Sequence, residues 1–226
     1  MKNFIIRNKN IIIDLVIFGL ITLISVVVVV NFNSQLRSLT GILDVFITPM
    51  AQFSIAGLGA VIVMFIRKEK FTNYRFVRSN IIKPLLLGLA SVVAFLIYTY
   101  FTNGGISWMP FKQVHETSVA FRLQFPLNVI GLTLIAIAWG FFEGFTWIFA
   151  SQKINSMFNI RNPFLRPAAL GVIAVNIIIH ASLGQNIDLK WIASSIITYI
   201  VITIPELTKN SWGSIVIFFG LWNALW

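Results

Sequence analysis

Glu143, His180 and Asn223 are the residues whose types and setting could do chemistry. Glu143 stands in the apolar stretch Leu127 to Phe149, surrounded by Trp139, Phe141, Phe142, Phe145 and Trp147. His180 sits in the next long apolar run, four residues after Asn176 and so on the same helical face. Inside a membrane, a carboxylate or an imidazole costs on the order of a few kcal/mol unless it faces a polar cavity or a partner. Glu and His together can activate water, the carboxylate taking the proton. They can also hold a metal ion that does so. The Asn223 amide could donate to a developing oxyanion. Each residue also has a structural reading. Glu143 could hydrogen-bond a neighbouring helix, His180 could meet the interface near the end of its span, and Asn223 could bridge helices. Gly140 and Gly144, on either side of Glu143, would let another helix approach closely.

The elements that must carry these groups follow from composition. Of 226 residues, 58% are hydrophobic and only 11% charged, and the mean hydropathy is +0.87. A soluble domain carries about 25% charged residues. An all-α polytopic transmembrane bundle, a single helical domain over 1–226, is therefore expected. The apolar runs are continuous and do not alternate, which argues against a β-barrel. The absence of cysteine excludes disulfides and thiolate metal sites. Seven spans are read at 11–30, 44–66, 81–101, 127–149, 167–184, 191–205 and 212–226. The first has no small-residue cleavage site after it and reads as a retained span, not a signal peptide. The last runs are short for a full span.

The net charge of +10 is spread over short loops, which is a topology signal and leaves no patch for nucleic acid. With the N-terminus in the cytoplasm, the inner segments hold Lys2, Arg7, Lys9, Arg67, Lys68, Lys70, Arg75, Arg78, Lys153, Arg161, Arg166 and Lys209. The outer ones hold Arg37, Lys112, Arg122 and Lys190. Twelve against four sets the orientation and places the chain in the cell membrane as a multi-pass protein. Asp14, near the inner end of its span, is expected to be structural and to reach toward the headgroups. Asp44, before Pro49, is expected to be structural. His115 and Glu116, in the long outer connection Phe101 to Pro126, are expected to be solvated.

Three segments resemble motifs of the CPBP, or Abi, family of intramembrane proteins, which includes CAAX prenyl endopeptidases and bacteriocin-processing or immunity proteins. Trp139-Gly-Phe-Phe-Glu143-Gly-Phe stands where that family has Glu-Glu-xxx-Arg. Asn176-Ile-Ile-Ile-His180, 37 residues beyond Glu143, stands where it has Phe-xxx-His. Phe219-Gly-Leu-Trp-Asn223 stands where it has His-xxx-Asn. The resemblance covers Leu127 to Trp226. It implies that Glu143 and His180 activate water and that Asn223 holds the oxyanion. The chain departs from the pattern in having one Glu of the pair, no following Arg, Asn176 for the Phe, and Phe219 for the second His.

Two readings follow. In the first, the chain is a divergent CPBP-type endopeptidase cleaving a membrane-associated peptide, with Glu143, His180 and Asn223 as its catalytic residues and with a metal ion at Glu143 and His180 left open. In the second, it is non-enzymatic: a small-solute transporter subunit, a scaffold or an immunity protein. Both make the lipid bilayer its main partner.

Overall fold

The computed structural model of the chain describes residues 2–39, 41–105, 108–112, 114–171, 173–174, 189–222 and 224. Every regular element among them is helical. In lipid this is the expected outcome, because a helix satisfies all its backbone groups within one segment. Among the described residues four stretches are long and apolar enough to cross a membrane: Phe4–Asn31, Ile42–Ile66, Ile82–Thr102 and Leu127–Ser156. Two shorter apolar helices are Ile192–Thr208 and Trp212–Leu221. The run expected at 167–184 lies largely outside the described residues. In the first and third stretches only 11% of the most apolar window is buried within the protein. Such apolar faces would be an aggregation liability in water, whereas a bilayer solvates them.

The chain forms two compact units, each assembled from separated segments. The first comprises Met1–Glu69, Ile106–Thr146 and Phe218–Trp226. Here α1 (Lys2–Asn31) packs against a helix built from α3 (Ile42–Phe53), a π-helical segment (Ser54–Leu58) and α4 (Gly59–Ile66). The short α2 (Asn33–Ser38) connects them. Asp14 of α1 is tied to this helix and does not reach out to headgroups. It is buried, and Arg67 Nε donates to its Oδ1 at 2.6 Å, while Arg67 Nη2 donates to the Asn10 carbonyl. The long connection before α7 (Leu127–Ile135) contains α6 (His115–Arg122), which packs on α3 and on α7. Val45, Phe111, Val114, Ala120 and Ile135 form the core there.

The second unit comprises Lys70–Gly105 and Trp147–Ile217. It contains α5 (Ile82–Asn103), the second half of α8 (Glu143–Ser156), α9 (Leu189–Thr208) and α10 (Trp212–Ile217). The close approach of α5 and α10 is made possible by glycine. A Cβ on Gly88 would fall 2.5 Å from the Gly213 carbonyl oxygen, and one on Gly213 would strike the Pro84 carbonyl. Backbone meets backbone with no side chain between, the contact by which membrane helices pack tightly without a hydrophobic driving force. Ala168, Ala169 and Ile202 form a second small core, packed by Trp147, Ile154 and Tyr199.

Candidate functional site

Glu143 begins α8, directly after a seven-residue π-helical segment, Ala136–Phe142, that interrupts the span Leu127–Ser156. A π turn holds one extra residue, bonds i to i+5, is rare, and is found frequently at functional sites. Here it is closely packed on two sides. A Cβ on Gly57, in the π segment Ser54–Leu58, would sit 2.7 Å from Phe142 Cβ. The Phe53 and Phe142 rings meet edge to face at 4.6 Å. On the other side, a Cβ on Gly140 would lie 2.9 Å from the Phe219 ring, which belongs to a third π segment, Phe218–Trp222. The Ala136–Phe142 segment therefore packs between the other two. Thr146 Oγ1 then donates to the Ala56 carbonyl at 2.6 Å, and Trp108 Nε1 donates to the Gly220 carbonyl at 2.6 Å.

Glu143 is half-buried at the end of this arrangement. Phe219, in the position of the second His of the CPBP pattern, lies against Gly140, three residues before Glu143. Its ring also meets Phe111 edge-on at 5.8 Å. The segment bearing Glu143 and the segment leading to Asn223 are thus side by side. His180 and Asn223 themselves lie outside the described residues. Among the described residues no three His, Cys, Asp or Glu side chains gather in a metal-binding group.

One turn towards the N-terminus from Glu143, Trp139 Nε1 donates to Gln52 Oε1 at 2.8 Å, and Gln52 Nε2 donates to Glu116 Oε1 at 3.2 Å. Glu116 is 4% exposed, so the expectation of a solvated side chain is corrected: α6 folds it inward against α3. His115 beside it is exposed, since adjacent helical residues face different ways. Asp44 is buried as well and accepts from Thr48 Oγ1 at 2.9 Å, a structural bond within α3.

The second unit holds a buried carboxylate just past the run read at 191–205, which the sequence did not single out. Glu206 is the third residue from the end of α9, its side chain 3% exposed. Its Oε2 lies 3.1 Å from Arg75 Nη1 and 3.5 Å from Arg166 Nη2, and Oε1 accepts from Asn155 Nδ2 at 3.3 Å. Asn155 Oδ1 in turn accepts from the Ala168 amide. Arg75 also donates to the Pro205 carbonyl at 2.6 Å. Its backbone sits at φ 64°, a left-handed conformation that costs a non-glycine residue about 1 kcal/mol or more and is kept where surroundings over-determine it. Beside it Ser211 Oγ donates to the Tyr74 carbonyl and the Ser211 amide to the Arg75 carbonyl. Oε2 faces the two guanidinium groups and Oε1 accepts from Asn155, so the carboxylate ties these segments together as a clasp. The one available signal was an acidic residue among basic segments; Arg75 and Arg166 read as orientation charges because nothing local names their partner.

Compared with protein families, curated proteins and solved structures, the chain matches none. No comparison adds to the motif residues on which the CPBP resemblance is drawn.

Proposed function

We propose that the chain is a divergent CPBP-type intramembrane protein of about seven spans with its N-terminus in the cytoplasm. In this reading it is an endopeptidase acting on a membrane-associated peptide. Glu143 takes the proton from a water, and His180 orients that water. The hydroxide adds to the scissile carbonyl, Asn223 donates to the resulting oxyanion, and the proton passes from Glu143 to the leaving amine. The observation that supports this reading is the contact of Gly140 with Phe219. It brings the helix of Glu143 beside the segment that leads to Asn223, as the motif order requires. The π segment ending at Glu143 is the kind of helix irregularity that functional sites retain.

The test is hydrolysis of a fluorogenic, lipid-anchored peptide by the full-length chain in nanodiscs, compared with Glu143→Gln. The amide cannot take a proton, so the variant should lose all turnover while keeping its helix content and its place in the membrane. Undiminished turnover in that variant rejects Glu143 as the base.

A second reading is favoured by Phe219. An aromatic ring packed on Gly140 and Phe111 offers no hydrogen bond at the position where the family has a donor. Losing one such donor costs about 100- to 1000-fold in rate. On this reading the chain binds its membrane partner without cleaving it, and Glu143→Gln leaves the biological phenotype intact.

A further inference from the structure

A groove of about 980 Å³ opens at the N-terminal end of α5, within the second unit. Its rim carries Arg78 and Lys83, and Leu86, Leu87, Ala90 and Leu207 form its apolar wall. The volume is that of a site for a substantial small molecule. Among the described residues no acidic side chain lines it, and neither cation forms an ion pair. This sets them apart from Arg67, Arg75 and Arg166, which are committed to Asp14 and Glu206. No side chain caps the start of α5, so its first amides add to the positive field there. The helix from Ile82 onward is long and apolar enough to span a bilayer, which puts Arg78 and Lys83 at headgroup level and Leu86 to Ala90 at the level of the first acyl carbons.

We propose that this groove binds an anionic glycerophospholipid, its phosphate between Arg78 and Lys83 and one acyl chain along Leu86, Leu87, Ala90 and Leu207. Charge and apolarity are stacked in the order in which a phospholipid presents them, with two cations over a hydrocarbon wall. Basic pockets beside transmembrane helices take anionic headgroups for this reason. The site is independent of Glu143 and of any hydrolysis.

The experiment is native mass spectrometry of the full-length chain released from micelles supplemented with phosphatidylglycerol or phosphatidylcholine. Each cation near a membrane surface contributes about 1 kcal/mol, so the pair should give roughly a 30-fold preference for phosphatidylglycerol. Arg78→Gln combined with Lys83→Gln should cut that preference to below about threefold, and each single variant should fall between on a logarithmic scale. Both residues are exposed, so the helix content measured by circular dichroism should not change. Ala90→Phe, which fills the apolar wall without altering charge, should lower retention of the lipid. The proposal is overturned if the double variant keeps its preference. Normal retention in Ala90→Phe overturns it too, because binding would then reflect diffuse surface charge. It also fails if soluble glycerol phosphate displaces the lipid at equal concentration, since the site would then take a free phosphate.

Discussion

Replacing Glu206 by Gln removes one negative charge from between two guanidinium groups and changes almost no volume. The Gln carbonyl can still accept from Asn155 Nδ2, so the hydrogen bond observed at 3.3 Å is kept. What is lost is the compensation of Arg75 and Arg166, whose side chains are 25% and 19% exposed. Removing one partner of a buried ion pair costs about 3–5 kcal/mol. Both arginines retain some water, so the lower end applies, and they now repel each other. For a chain of this size, about 3 kcal/mol lowers Tm by roughly 6–12 °C. The assay is thermal unfolding in detergent, followed by circular dichroism and by tryptophan fluorescence. Arg166→Gln in the same background supplies the control. With the carboxylate gone, removing one of the two facing cations relieves repulsion, so the double variant should lose at least about 1 kcal/mol less than the sum of the singles. A Tm within about 2 °C of the parent for Glu206→Gln, or strict additivity of the pair, would refute the clasp.

Gly213→Ala should destabilise by about 1–3 kcal/mol, because its Cβ would meet the Pro84 carbonyl and α5 and α10 would have to part; the same unfolding assay reads it. Gln52→Leu strands Trp139 Nε1 and Glu116 Oε1 together and should cost about 1–3 kcal/mol for each buried group, whereas Glu116→Gln keeps the acceptor for Gln52 and should leave Tm nearly unchanged. If the chain is a hydrolase, Phe219→His should restore a donor near Gly140 and raise turnover toward the 100-fold or so that one oxyanion contact contributes; an unchanged rate would separate Phe219 from the reaction centre. Thr72→Cys should react with impermeant maleimide only from the cytoplasmic side and Gly105→Cys only from outside; the opposite pattern reverses the proposed orientation.

Hydropathy alone located the long helices. The runs read at 44–66, 81–101 and 127–149 return as Ile42–Ile66, Ile82–Thr102 and Leu127–Ser156. The reason is physical: in lipid an apolar segment has to close its own backbone hydrogen bonds, so composition and length nearly dictate conformation. Helix ends were less legible. The first helix begins at Lys2, well before the apolar run at Ile11, because hydropathy marks where a segment meets lipid and not where its hydrogen bonding starts. Glu143 also stood out from the sequence, because a carboxylate among Trp and Phe is costly wherever it folds.

The interruptions and partners required the folded chain. Nothing local in Ala136–Phe142 calls for a π turn; in the folded chain Phe142 lies against Gly57 and Gly140 against Phe219, and each contact joins distant parts of the sequence. Glu116 looked like a loop residue until α6 turned it toward Gln52, 64 positions away. Arg75 and Arg166 counted as two of the twelve inner charges, and only tertiary packing brought them to Glu206. Lipid makes helices a local matter, since backbone groups pair within the segment. The pairing of buried polar side chains is long-range, since the partner that neutralises a charge need only be near in space.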